Sequence, residues 1–479
     1  MRPIADRRPN VVMILADQFR HDVLGTLGHP VVETPNLDRL ADDGVLFSNA
    51  YCGTMACGPS RASLFTGLHS DAHGQLTNQI DLWPPDIPVL PELLADAGYD
   101  TALVGKLHLK PMSRRFGFRY CLRHDAPYTN YSREEAADSA YVKYLQTGPF
   151  KDDPEGVVRR FTEDEACFPD RDQKRFILGS NIVTEEDHEV PWAVRESINY
   201  VRNERDKRKP FFLNTSFYGP HQPMLCPGRW ERLYPPDELP LPPGFSNPVG
   251  DKPIMINRFR DLRERDGWSE TDYRDVFSAY YGYIAMIDHY LGRLFEALKQ
   301  EGLWDNTIVI FTADHGDYMG QFRRFFKGGG GYEGSTHVPL IIRDPRNKQR
   351  GRRCSRNVSG MDLFRTCLVA AGAAVPPDTD ARDLTPLVGG QGDGWDNTVL
   401  WKANDESMIV RDRHKLMRAA RNGTVHYEFY DLGQDPWEAV NRAEDPLFAA
   451  QIREMRAELD AWHAEQDSLC RDKPKPAAY

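Results

Sequence analysis

Asn10-Val-Val-Met-Ile-Leu-Ala-Asp17 is a continuous apolar run closed by an acid. A half-exposed strand alternates apolar and polar residues, whereas an unbroken run of this length reads as a strand buried on both faces, as in a parallel sheet. Thr307-Ile-Val-Ile-Phe-Thr-Ala-Asp314 repeats the pattern, and His315 follows it. Between the two lie Asp100-Thr-Ala-Leu-Val-Gly105, left by Lys106-Leu-His108, and Pro210-Phe-Phe-Leu-Asn-Thr-Ser-Phe217, followed by Gly219-Pro-His221. Helical stretches separate these strands. Thr34 caps and Pro35 opens the first, which runs to Leu40; others span Leu90 to Gly98 and Val190 to Val201. The longest runs from about Tyr273 to Gln300, where Val276, Tyr280, Ile284, Ile287, Leu291, Leu294 and Leu298 form one apolar face. The expected class is α/β, with a large, mostly parallel sheet flanked by helices.

In open parallel sheets, ligands bind beyond the carboxyl ends of the strands. Four such ends here carry Asp17, Lys106 with His108, His221, and Asp314 with His315. Val338-Pro-Leu-Ile-Ile342 completes the core pattern, and a helix at Met361–Ala371 precedes a Pro/Gly-rich connector at about 374–395. Short alternating strands near 398–429 and a terminal helix follow. The connector divides a larger domain, 1–385, from a smaller α+β domain, 386–479, carrying an antiparallel sheet. Residues 110–190 are polar, aromatic-rich and weakly periodic, and read equally as a pocket rim or a surface excursion.

Cys57-Gly-Pro-Ser-Arg61 opens a short helical run that ends at Gly67. Pro59 suits the first position of the helix and Gly67 the far end. Cys57 therefore stands at a helix N-terminus, where free N–H groups favour an anion, and Arg61, one turn on, is expected to swing toward the same oxyanion. Taken alone, such a cysteine is commonly a buried hydrophobe. Lys327 precedes Gly328-Gly-Gly-Gly331, a run that either lets backbone approach an anion or simply loosens a loop.

Composition sets bounds. The chain of 479 residues is 40% hydrophobic, 27% charged and 11% aromatic, as in a soluble globular protein. Sixty basic against 71 acidic residues, net −11, argue against a nucleic-acid partner. The cysteines at 52, 57, 121, 167, 226, 354, 367 and 470 show no paired CxxC spacing and suggest neither a zinc module nor a disulfide framework. No signal-peptide core or membrane span is read at the N-terminus, so a cytoplasmic protein with reduced thiols and no membrane partner is expected.

In order and spacing, these elements resemble the formylglycine-dependent sulfatases of the alkaline phosphatase superfamily. The matching pieces are the Asp17 strand, Thr34 to Leu40, Cys57 to Arg61 with Leu64-Phe-Thr-Gly67, and Val104-Gly-Lys-Leu-His108. Phe212 to His221, Thr312-Ala-Asp-His-Gly316, Lys327 with Tyr332-Glu333, and Tyr430-Asp-Leu through Asp435-Pro, Glu438 and Asn441 also match. The resemblance implies an alkaline phosphatase-like fold and hydrolysis of organic sulfate monoesters to an alcohol and inorganic sulfate. It implies one divalent ion, calcium or manganese, held by Asp17, Gln18, Asp314, His315 and residue 57. Cys57 would be oxidised by a maturation enzyme to formylglycine, whose hydrate attacks sulfur. Arg61, Lys106 and Lys327 would carry the charge of the transferring group, His221 would protonate the leaving oxygen, and His108 would take a proton as the aldehyde re-forms and sulfate departs.

One position departs from the commonest pattern. Gln18 stands where many sulfatases have a second aspartate, which looks more like the choline-sulfatase and phosphonate-monoester-hydrolase branches. A phosphonate monoester or phosphodiester hydrolase using the same site is the alternative, and a homo-oligomer is also expected.

Overall fold

The computed structural model describes residues 8–82, 84–125, 136, 138–162, 183–224, 226–258, 268–421 and 423–469. Its larger sheet has nine strands: β1 (Asn10–Asp17), β2 (Val45–Tyr51), β3 (Asp100–Gly105), β4 (Tyr120–Arg123), β5 (Phe211–Pro220), β6 (Thr307–Ala313), β7 (His337–Arg343), β8 (Arg352–Cys354) and β9 (Val358–Ser359). They lie in the order β4-β3-β5-β1-β6-β7-β2-β8, with β9 also paired to β2. Every pairing is parallel except those of β7, which runs antiparallel to both β6 and β2. The expected class is the one observed.

All eight residues of β1 are buried, as the unbroken run requires, because strands lie on both sides and helices cover both faces. Its register sets Ala16 beside Ala313 of β6 and Asp17 beside Pro220 of β5. Gly105 of β3 pairs with Ser216 of β5, so Lys106 leaves the sheet one strand further along the same edge. Gly105 has φ +102°, and a Cβ there would fall 1.8 Å from the Ser216 carbonyl oxygen; only glycine allows the two strand ends to approach.

The helix Cys57–Thr66 is wholly buried and ends at Gly67, φ +68°, as expected. It starts two residues before Pro59, which occupies the first turn, where its missing N–H costs nothing. The longest helix, Glu270–Gln300, opens on a capping box: Ser269 Oγ accepts from Asp272 N at 3.3 Å, and Asp272 Oδ2 accepts from Ser269 N at 2.9 Å. It reaches the site edge through Tyr280, whose hydroxyl donates to the Gln18 carbonyl at 2.7 Å.

Strands β10 (Thr398–Ala403), β11 (Glu406–Arg411), β12 (His414–Arg421) and β13 (Thr424–Asp431) form a separate antiparallel sheet, with the helix Ala449–Leu469 packed on one face. Its other face closes a core shared with the larger layer. Trp401, Met408 and Met417 pack with Tyr51, Met55, Tyr318 and Tyr332.

Within 110–190, β4 and the helices Ala140–Thr147 and Pro154–Thr162 are seen; residues 126–135, 137 and 163–182 lie outside the described residues. No helix among the described residues is long and apolar enough to cross a membrane.

Candidate functional site

The ends of β1, β3, β5 and β6 bring the sequence-derived residues to one place. Asp17, Cys57, Asp314 and His315 each offer a ligand atom, and these atoms all lie within 4.8 Å of one another. Cys57 Sγ is 3.2 Å from His315 Nε2, 3.7 Å from Asp17 Oδ1 and 2.9 Å from Lys327 Nζ. The floor is sealed: Asp17, Gln18, Arg61 and His315 have no exposed surface. His108, His221 and Lys327 are half-buried and form the open side.

The donor set fits a divalent cation. His315 Nδ1 lies 2.8 Å from the Gly316 carbonyl, which only accepts, so the proton sits on Nδ1 and Nε2 turns a lone pair to the cluster. Burial pushes the Asp314 carboxyl above its ordinary range, and the facing Asp17 charge adds to this against the pull of Arg61. Two dry carboxylates facing one another with an imidazole lone pair form a site suited to a hard cation.

Gln18 joins them through its own network. Its Nε2 donates to Gln222 Oε1 at 2.8 Å and to Asp317 Oδ2 at 2.5 Å, which leaves Oε1 to accept from Lys327 Nζ at 3.1 Å on the cluster side. Asp317 is in turn fixed by Met319 N, at 2.5 Å, and Phe326 N, at 2.9 Å, both donating to Oδ1.

Arg61 is engaged by protein groups on several sides. Its Nε donates to Asp314 Oδ2 at 2.7 Å, and Nη1 donates to the Lys106 carbonyl at 2.8 Å and to Ser216 Oγ at 2.9 Å. Nη2 reaches Asp17 Oδ2 at 3.4 Å. The planar fork is spent on two carboxylates, which it holds as a pair. Lys106 also pairs with Asp17 Oδ2. Burial alone would push the Cys57 thiol up, but the charges of Lys106 and Lys327 outweigh it and hold the thiol well below its ordinary range.

His108 is held at φ 58° by Asp125, whose Oδ1 accepts from Leu107 N at 2.8 Å and His108 N at 2.9 Å. Its Nδ1 is buried and has no hydrogen-bond partner among the described residues. Burial, followed by the nearby Lys106 charge, lowers its pKa. For His221, burial and then Lys327 do the same.

The glycine run is packed against the second sheet. Gly330 N donates to Glu406 Oε2 at 2.9 Å, the Gly331 carbonyl accepts from Lys415 Nζ at 2.6 Å, and a Cβ on Gly331 would fall 2.6 Å from Met408 Sδ. The run lets the second sheet approach the Lys327 loop. Asp125, Asp317, Tyr218 and Gln222 are absent from the sequence-derived set, because each acts through a partner that only the fold supplies.

Matches to known proteins span nearly the whole chain. The Sulfatase family model matches residues 9–373, and the model for the C-terminal part of N-sulphoglucosamine sulphohydrolase matches residues 320–465. An arylsulfatase of Clostridium perfringens is 31% identical, the match covering 94% of this chain and 93% of the relative. A multifunctional alkaline phosphatase superfamily protein of Trinickia caryophylli is 28% identical over 96% of each chain. The solved phosphonate monoester hydrolase of Agrobacterium radiobacter superposes with a TM-score of 0.76 at 27% identity, covering 96% of each chain.

Proposed function

Because the chain belongs to the sulfatase family and is a sulfuric ester hydrolase, we propose that residue 57, as formylglycine, cleaves organic sulfate monoesters at a divalent-metal site. The observation that carries this is the placement of Cys57 between His315 Nε2 and Lys327 Nζ, against two buried carboxylates. Asp17, Gln18, Asp314 and His315 would hold the ion, and mixed oxygen and imidazole donors favour calcium or manganese. The ion supplies Lewis acidity and the modified residue 57 an attacking oxygen. Conversion of Cys57 calls for a separate maturation enzyme.

The chain's own residues do the rest. Lys327 and Lys106 place positive charge beside residue 57, where the sulfuryl oxygens gather negative charge. Arg61 keeps Asp17 and Asp314 together. His221, on the open side, gives a proton to the departing alcohol oxygen; His108, on the same side, takes one at residue 57.

Gln18 supports a second reading. A neutral amide in place of a carboxylate lowers the negative charge facing the ester, and the likeness to the Agrobacterium enzyme supports a phosphonate monoester or phosphodiester substrate in the same site. The test pairs chemistry with kinetics. The peptide containing Cys57 is expected to show the mass of an aldehyde in place of the thiol, and Cys57→Ala to lose turnover of aryl sulfates by about 10⁴-fold or more, the scale of losing a nucleophile. Equal rates for the two proteins overturn the nucleophile. Specificity constants on matched aryl sulfate, phosphonate and phosphodiester esters decide between the readings, a strong preference for the phosphorus esters favouring the second.

A further inference from the structure

The side chain of Tyr218, at the end of β5, touches two of the groups just assigned. Its ring face lies 4.7 Å from Lys106 Nζ, which arrives from the end of β3. Both side chains are almost fully buried, at 5% and 2% exposed, so the cation meets the ring with little water to compete. The Tyr218 hydroxyl lies 2.7 Å from His221 Nδ1 and donates to the Gln222 carbonyl at 2.5 Å.

His221 Nδ1 is itself 2.6 Å from that carbonyl oxygen. A carbonyl only accepts, and the one phenolic proton is already directed to it. The hydrogen between Nδ1 and the two oxygens therefore belongs to the imidazole. Nδ1 is occupied on the protein side, which leaves Nε2 as the nitrogen free to serve the site.

We propose that Tyr218 is a positioning residue for ester cleavage: its ring seats Lys106, and its hydroxyl, with the Gln222 carbonyl, fixes the plane and the proton-bearing edge of His221. The proposal rests on the assignment of His221 as the acid. The proton given to the leaving oxygen comes from Nε2, and Nδ1 keeps its hydrogen against the Gln222 carbonyl throughout. A merely packed tyrosine would affect all esters alike, whereas this role is felt in proportion to how much proton the leaving group needs.

The experiment uses matured full-length protein and a series of aryl esters, of whichever class the wild type turns over fastest, whose phenols span a wide range of acidity. Tyr218→Phe keeps the ring under Lys106 and removes the hydroxyl. It is expected to lose about 10- to 100-fold in kcat on the poorest leaving groups, the scale of losing an orienting partner, and little on the best. Its leaving-group dependence then moves toward that of His221→Ala, with KM little changed. Tyr218→Leu is expected to lose further across the whole series as Lys106 loses its seat. Thermal melts identify any variant that fails to fold, and the Tyr218→Phe slope stands without Tyr218→Leu. A wild-type slope in Tyr218→Phe beside a steep one in His221→Ala overturns the proposal and leaves His221 as the acid. A wild-type slope in His221→Ala overturns both.

Discussion

Asp125 shows how one carboxylate holds a working turn. Its two backbone bonds to Leu107 and His108 fix a histidine at positive φ, a conformation that costs of order 1–3 kcal/mol and persists only when its surroundings impose it. Asp125→Ala strands two N–H donors and is expected to cost about 2–4 kcal/mol, with kcat falling more than KM rises; Asp125→Asn retains an acceptor and recovers part of both. Urea unfolding and steady-state kinetics check the pair. The same residue marks the limit of what the sequence conveys. Asp17 and Asp314 are legible because each closes a run too apolar to end on an acid by accident, and Lys106, His108 and His221 because they follow such runs. Asp125 lies two residues beyond β4, a four-residue strand with no clear pattern, and nothing local ties it to a turn 17 residues earlier. Arg61 is legible as a cation at a helix start, but its carboxylate partners come from β1 and the end of β6, which local sequence does not bring to it.

At the scale of elements, the strands that read clearly are those buried on both faces, and β1, β3, β5 and β6 are all of this kind. The strand β2 escapes a reading by runs because Ser48 and Asn49 interrupt it at a register shift against β7. The helix Glu189–Asn199 illustrates a further element-level effect. Glu189, at its start, is buried against the end of β5, where Oε1 accepts from Gly219 N at 3.2 Å and from the Tyr283 hydroxyl at 3.0 Å. Burial pushes its pKa from 4.5 to about 7 despite these donors. A folded-state pKa above the unfolded value means the native state holds more protons across that window. The contribution is fully present below pH 4.5, is lost as pH rises toward 7, and is absent above it. Glu189→Gln keeps an acceptor and removes the titration, so relative to wild type it is expected to gain roughly 2–3 kcal/mol between pH 4.5 and 8. Unfolding measured across that range checks it, and a constant difference between the two proteins would count against the assignment.

At the scale of the whole molecule, the connector near 374–395 and the alternating strands beyond it are legible, but the intimacy of the two layers is not. Lys415 of β12 is fully buried between Glu333 and Glu438, at 2.6 and 2.9 Å, while Tyr332 and Tyr430 both donate to Glu428, at 2.5 and 2.7 Å. The bonds of Glu333 and Tyr332 join the second sheet to the segment that follows Lys327. We propose that residue 385 ends a layer and not an independently folding unit. A chain ending there would leave Glu333 without Lys415 and expose Tyr51, Tyr318 and Tyr332 to water. It is expected to show no cooperative melting transition by calorimetry and no ester turnover, and a fragment that melts cooperatively would separate the two domains after all.

That clasp bears on how such proteins exchange parts. A crossover between homologous genes placed in the Pro/Gly-rich connector would graft a foreign sheet onto a resident lysine segment whose glutamate and tyrosines suit another partner. A crossover ahead of Tyr318 would carry both matched halves together. The heritable module is therefore the small sheet with the segment it grips, and the visible hinge in the chain is the wrong place to cut.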